Sequence, residues 1–157
     1  VILFIPPTNK QPLMLTLKEY KAAKEQVDQF ERAVKVAALV NDKIVNFSPD
    51  DLTVIPTDKG ILITEKACVD TLSPRLELNY KELRSLLKGG GQWVVEYKDV
   101  YSNHEYRLFD VSETKEANKY YKECLGRTKQ DDDESYDIEW VDINWYAWAD
   151  IPEEALP

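Results

Sequence analysis

Apolar residues recur every three or four positions between residues 17 and 39, and this spacing predicts a long amphipathic helix. Thr16 followed three residues later by Glu19 is a capping box, so we expect the helix to begin there. Charged residues fill the opposite face, with Asp28 and Arg32 spaced for an ion pair. The apolar stripe consists of Leu17, Tyr20, Ala23, Val27, Phe30, Val34 and Ala37.

Alternating apolar and polar residues, separated by turn residues, predict a set of strands joined as hairpins. We expect Gly60 to supply a positive φ in one of these turns. Two shorter helices are expected, one over 80–88 and one over 112–125 with Ser112 as its cap. The predicted strands cover 2–5, 43–47, 52–55, 61–65, 93–98, 104–111 and 138–148.

The order of these elements favours an α+β fold, with a mostly antiparallel sheet built from hairpins and about three helices packed on one face. The length of 157 residues suits a single domain over 1–157, and no repeat or linker divides it. Within that domain, residues 127–157 combine an acidic loop with an aromatic-rich final strand.

The net charge of −9 is concentrated at one end of the sequence. Residues 131–157 hold ten acids and no Lys or Arg, whereas the other residues hold 20 bases and 19 acids. Such a segment repels nucleic acid phosphates and attracts a basic protein surface. We therefore expect a protein partner with a basic surface and no direct binding to nucleic acid.

Few residues are available for metal or cofactor chemistry. Cys68, Cys124 and His104 are the only cysteines and histidine, which is too few for an ordinary zinc site. We predict no metal and no cofactor. The apolar run Val1–Ile5 is too short for a signal peptide or a membrane span, so we expect a soluble, cytoplasmic protein.

The final predicted strand places two kinds of surface back to back. One face carries Val141, Ile143, Trp145 and Ala147 and suits a core. The other mixes large aromatics with polar groups, which is typical of binding surfaces, although helices covering this face would make it core instead. The predicted partner-binding residues are Trp140, Asp142, Asn144, Tyr146 and Trp148 on this face, and Asp131, Asp132, Asp133 and Glu134 in the preceding loop.

Three features leave chemical alternatives open. Glu96 and Lys98 match part of a metal-dependent nuclease pattern, which also requires an Asp on a neighbouring strand, either Asp58 or Asp70. His104 is a candidate general base if Glu105 or Asp99 orients it. The four consecutive acids lack the spacing and the glycine of a Ca²⁺ loop, so they indicate a solvated loop.

The sequence predicts a binding or regulatory protein without chemistry of its own, because no set of catalytic motifs is present. An inhibitor or adaptor of the kind that a phage or mobile element encodes fits the small size and the acidic segment. The alternatives are a metal-dependent hydrolase that uses Glu96 and Lys98, and a structural subunit of a larger assembly. The oligomeric state and the sheet face that the helices cover stay open.

Overall fold

The computed structural model describes residues 3–5, 13–69, 71–132 and 134–157, and the α+β class is confirmed. Three helices accompany antiparallel strands joined largely as hairpins. In chain order the elements are β1 (Leu3–Ile5), β2 (Leu13–Leu15), α1 (Leu17–Val40), β3 (Leu52–Pro56), β4 (Gly60–Glu65), β5 (Leu76–Asn79), α2 (Tyr80–Leu86), β6 (Gly91–Asp99), β7 (His104–Phe109), α3 (Thr114–Gly126) and β8 (Ile138–Ala147).

The strands of the described residues are divided among three sheets instead of forming the single sheet that we expected. β1 pairs with β2, β3-β4-β5 form the first three-stranded sheet, and β7-β6-β8 form the second. Every pairing is antiparallel. The central strand is β4 in the first sheet and β6 in the second, and it pairs with both edge strands of its sheet. Each sheet has its own helices, with α1 and α2 against the first and α3 against the second.

Among the side chains that the structure describes, two clusters of buried residues form the core. The larger one joins the C-terminal half of α1, the first sheet and α2, and it also includes Val94, Trp148 and Ile151 from the neighbourhood of the second sheet. The smaller one lies between α3 and one face of the second sheet, with Val95 and Cys124 among its members. The second sheet therefore contributes side chains to both clusters.

Helix α1 begins as predicted, and its residue Arg32 contacts the chain that follows β8. Thr16 and Glu19 complete the capping box, with the Glu19 amide donating to Thr16 Oγ1 at 3.1 Å. Arg32 donates to the backbone carbonyls of Ala149 at 2.9 Å and Ile151 at 3.4 Å. The guanidinium thus fixes the chain that follows β8 against α1, because hydrogen bonds from a charged donor to a carbonyl are among the stronger ones.

Several local expectations differ from the structure. Residues 43–47 form turns instead of a strand, with positive φ at Asp42 and Asn46. Gly60 does not have a positive φ; its role is to allow close approach, because an added Cβ would lie 1.9 Å from the Leu78 carbonyl oxygen of β5. Asp110, not Ser112, caps the turn before α3 and accepts a hydrogen bond from the Ser112 amide.

Within the described part of the chain, no helix combines the length and the apolar character needed to cross a bilayer.

Candidate functional site

The candidate site is the uncovered end of one face of the second sheet, which we call the open face. Alternation along the strands brings Glu96 and Lys98 of β6 to this face. Neighbouring positions on β7 and β8 stand beside them, since Lys98 is opposite both His104 and Trp140. The open face consists of Glu96, Lys98, His104, Tyr106, Trp140, Asp142 and Asn144.

The other face of the second sheet is covered by α3. Val95 and Phe109 pack there with Ala117 and Cys124 of the helix. The rest of the face that carries the open face is covered, because Val94 belongs to the larger core cluster; Tyr106, at the border of the open face, packs against that cluster. The sequence left open which face the helices cover, and the structure shows that α3 packs on one face, while the other face is covered at one end by the larger core cluster.

Two carboxylates stand side by side on the open face. Glu96 and Asp142 are directly opposite one another on β6 and β8. Lys98 is the nearby cation, but its Nζ atom pairs with Glu139 Oε2 at 3.4 Å and not with these two carboxylates. Like charges in directly opposite positions destabilise a sheet. Glu96 also accepts a hydrogen bond from Tyr106 and lies 4.0 Å from His104.

The aromatic side chains of the open face are held by contacts with one another. The His104 ring lies edge-on to Trp140, with 5.5 Å between ring centroids, and 6.4 Å from the Tyr106 ring. The Nδ1 atom of His104 is 4.0 Å from Glu96 Oε1. Burial raises the pKa of Tyr106, and the Glu96 carboxylate that accepts its hydrogen bond raises it further.

The structure does not give His104 the orienting carboxylates that the sequence suggested. Asp99 accepts hydrogen bonds from the amides of Tyr101 at 2.8 Å and Asn103 at 2.9 Å, and these bonds hold the turn between β6 and β7. Hydrogen bonding from Asn103 also lowers the pKa of Asp99. Glu105 points to the opposite face by strand alternation. The carboxylate nearest to His104 is Glu96 instead.

The predicted partner-binding residues of β8 separate into two groups. Trp140, Asp142 and Asn144 lie together on the open face, whereas Tyr146 packs against the larger core cluster. Trp148 corrects our expectation, because the strand ends at Ala147 and its side chain is only 4% exposed. Its indole nitrogen donates to the Leu87 carbonyl at 3.2 Å.

Trp145, which we placed in the core, is partly exposed instead. Its exposed fraction is 38%, and its ring packs edge-on against Trp93, with 5.4 Å between centroids. β8 is an edge strand, so its side chains have fewer neighbours than those of β6. Strand alternation predicted the face correctly but could not predict how far the covering helix extends.

The acidic loop enters β8 at the same end of the sheet as Trp140. Asp131, Asp132 and Glu134 are exposed, while Asp133 lies outside the described residues. At the base of the loop, Arg127 Nη2 donates to Asp137 Oδ2 at 2.6 Å, and Nε donates to Oδ1 at 3.0 Å. This paired contact lowers the pKa of Asp137 and raises that of Arg127.

Sequence reasoning missed Tyr101, which stands at the tip of the turn between β6 and β7. Its side chain is 81% exposed, the largest fraction among the described aromatic residues. The adjacent amide of Val100 donates to the Asp137 carbonyl at 3.1 Å, so the turn and the base of the acidic loop are joined. The sequence signal that could have identified Tyr101 is an aromatic residue at the tip of a predicted hairpin, because binding residues often lie on exposed loops.

A groove of about 600 Å³ follows the outer edge of β7 beside the open face. It shares His104 and Tyr106 with the open face, and the segment Glu154–Pro157 forms its other wall. We call it the acidic groove, because its lining contains one arginine, Arg107, and the carboxylates of Asp42, Glu105, Asp110, Glu113 and Glu154.

Metal binding at the predicted nuclease residues finds limited support. Asp58 lies in the turn between β3 and β4, in a different sheet from Glu96, and Asp70 lies outside the described residues. Asp142, which the sequence did not single out for this role, is the acid opposite Glu96. In the part of the chain that the structure describes, no three or more His, Cys, Asp or Glu side chains are grouped to hold a metal ion.

Comparison with known proteins adds no relative to this description. No protein family model matches the chain, and neither a curated protein nor a solved structure shows significant similarity to it.

Proposed function

We propose that this chain is a non-catalytic binding protein of the inhibitor or adaptor class, which docks on a basic surface of a protein partner. The open face would form the centre of the contact. The acidic loop and the acidic groove would surround it. The proposal combines an aromatic anchor with carboxylates at one end of the second sheet.

The observation that carries the proposal is the pair of carboxylates formed by Glu96 and Asp142. Their direct opposition costs the fold on the order of 0.5 kcal/mol. An Arg or Lys of a partner placed between them would turn this repulsion into attraction. Surfaces that sacrifice stability in this way are characteristic of functional sites.

Trp140 supplies the apolar part of the proposed contact. It is half-buried and held edge-on by His104, so little side-chain entropy remains to be lost when a partner covers it. Tyr101, on the neighbouring turn, adds a second exposed aromatic ring. Trp and Tyr are the residues most often found to dominate binding energy at protein interfaces.

The acidic loop and the acidic groove would act at longer range. Carboxylates spread over one end of a protein raise the rate of encounter with a basic partner, and salt weakens this effect. At about 0.15 M salt, interactions between exposed charges are screened beyond about 8 Å. Binding through this end should therefore be strongly dependent on ionic strength.

Affinity capture from cell lysate, followed by mass spectrometry, tests the proposal with three variants. Trp140→Ala and Asp142→Asn should each lose the captured partner, and salt at about 0.5 M should release it from the wild type. Trp145→Ala is the matched control, because this partly exposed tryptophan lies on the other face of the same strand. A partner that Trp140→Ala and Asp142→Asn retain as well as the control does would refute the docking site.

The variant Asp142→Asn also separates function from folding. Removing one of two opposed carboxylates should make the fold slightly more stable, whereas binding should become weaker. Urea denaturation measures the first effect and capture measures the second. Loss of binding together with loss of stability would point to damage of the fold and would count against a role in docking.

A metal-dependent hydrolase is the second candidate, because Asp142 stands opposite Glu96 and Lys98 is nearby on the same face. Two adjacent carboxylates provide oxygen ligands that Mg²⁺ and Mn²⁺ accept. A cation bound only by the native state must raise the melting temperature. A rise with Mn²⁺ that Glu96→Ala abolishes would support the hydrolase, whereas an unchanged melting temperature would count against it.

A further inference from the structure

The N-terminal half of α1 is exposed along its whole circumference. Every side chain from Thr16 to Phe30 is exposed, whereas Val34 and Val36–Leu39 are buried in the larger core cluster. Leu17, Tyr20, Val27 and Phe30 are large apolar residues within the exposed half, and Val27 is 54% exposed. Helices on protein surfaces usually bury such a stripe, so these four turns have an apolar surface without a described cover.

The exposed stripe follows the spacing of a coiled-coil seam. Tyr20, Ala23, Val27 and Phe30 are separated by three, four and three residues. The same alternation continues into the buried positions Val34 and Ala37. Repeats of this kind bring two helices together side by side. Because the C-terminal half of α1 is fixed in the core, the helix is already formed before a partner binds. Binding therefore does not carry the loss of conformational entropy that a short isolated helix pays when it folds.

Charges along the exposed half are segregated by sign. Residues 17–24 contain Lys18, Lys21 and Lys24 and one acid, whereas residues 25–31 contain Glu25, Asp28 and Glu31 and no base. If two such helices lie antiparallel, the basic stretch of each lies beside the acidic stretch of the other. In a parallel arrangement, like charges would lie side by side. The charge pattern therefore complements its own copy in the antiparallel orientation only.

The seam matches the same symmetry. With the twofold axis near residue 25, Tyr20 of one chain meets Phe30 of the second copy, and Ala23 meets Val27. Small residues lie near the axis, where the helices approach closely, and aromatic residues lie at both ends. A twofold contact requires a surface that complements itself in this way. From the seam and the charges together, we infer that a second copy of this chain docks antiparallel on residues 17–30 of α1.

The resulting dimer should be weak. The exposed half spans about 20 Å at 1.5 Å per residue, which provides less than a standard-sized interface. We expect dissociation in the micromolar range, so that monomer and dimer exchange under ordinary conditions. This inference is independent of the proposed docking at the open face, which lies on the second sheet.

Sedimentation equilibrium between about 1 and about 100 μM tests the association. The average mass of the wild type should rise towards twice 18.2 kDa. Val27→Asp should raise the dissociation constant of the dimer by about tenfold or more, because it places a charge in the seam. Ala22→Asp is the matched control on the opposite side of the same helix, and it should associate like the wild type. A wild type that is monomeric throughout, or that Val27→Asp leaves unchanged, overturns the inference.

Disulfide trapping tests the orientation, in a Cys68→Ser background that removes the exposed native thiol. In the antiparallel pair, position 24 lies about 3 Å along the axis from its copy, whereas position 31, one heptad later on the same side of the seam, lies about 18 Å from its copy. In a parallel pair, both positions would lie beside their copies. Lys24→Cys should therefore form the dimeric disulfide on oxidation, and Glu31→Cys should not. Equal trapping at both positions, or trapping at position 31 alone, overturns the antiparallel alignment.

Discussion

Replacement of Trp148 tests the assignment of this residue to the core. The indole is 4% exposed, packs in the larger core cluster and donates to the Leu87 carbonyl. Trp148→Ala leaves a cavity and removes one of the two hydrogen bonds that the Leu87 carbonyl accepts, the other coming from the Gly90 amide at 3.2 Å. Removal of a buried aromatic side chain of this size costs about 3–5 kcal/mol. That is a large share of the roughly 5–15 kcal/mol by which domains are stable. Trp148→Phe keeps most of the volume and leaves the Leu87 carbonyl paired with the Gly90 amide, so its cost should be only about 0.5–1.5 kcal/mol from the lost hydrogen bond.

Urea denaturation followed by far-ultraviolet circular dichroism measures these losses, since it reports the backbone and does not depend on which tryptophans remain. With a slope of about 2 kcal/mol per M, Trp148→Ala should lower the midpoint by about 2 M. Trp145→Ala is the comparison, because its side chain is 38% exposed on an edge strand, and its shift should be less than half as large. Equal shifts for the two alanine variants would refute the core assignment.

Three further predictions follow from other described contacts. Gly60→Ala should disrupt the pairing of β4 with β5, seen as a lower melting temperature, because the new Cβ meets backbone at 1.9 Å. In the native protein a maleimide should label Cys68 rapidly and Cys124 only after unfolding, because Cys124 is buried and burial raises the pKa of its thiol; equal rates would contradict this. The pKa of Asp137 is lowered by Arg127, so this pair stabilises the fold above the unfolded pKa of about 4 and ceases to do so as pH falls through the lower folded value. The difference in melting temperature between the wild type and Asp137→Asn should therefore shrink below about pH 4, and a constant difference would contradict the pairing.

The helices were predictable because their signals are local. A repeat of three and four residues defined α1, and a capping box marked its first residue. α2 likewise begins at a capping box, in which the Glu82 amide donates to Asn79 Oδ1 at 2.8 Å. The hairpins β3–β4 and β6–β7 were predictable for a similar reason, since alternation and turn residues lie within a short stretch. Each of these signals depends on neighbours within a few positions.

The short strand β5 was not predictable from its own four residues. Leu76–Asn79 alternates apolar and polar residues, but it is only four residues long and has no β-branched or aromatic residue, and it becomes a strand by pairing with β4. The reverse error occurred at 43–47, where an apolar stretch predicted a strand that found no partner. Strand propensity describes how a residue fits a sheet surface, and the sheet itself is assembled from distant segments.

By itself, the sequence determined the α+β class, the helix positions and the acidic C-terminal end with its cluster of aromatic residues. Only the tertiary structure decided which aromatic residues are accessible, because alternation along β8 ends at Ala147 and the next turn carries Trp148 into the core. It also placed Asp142 opposite Glu96 and left half of α1 uncovered. The physical reason is that backbone periodicity follows from neighbouring residues, whereas burial and charge pairing depend on which distant surfaces meet.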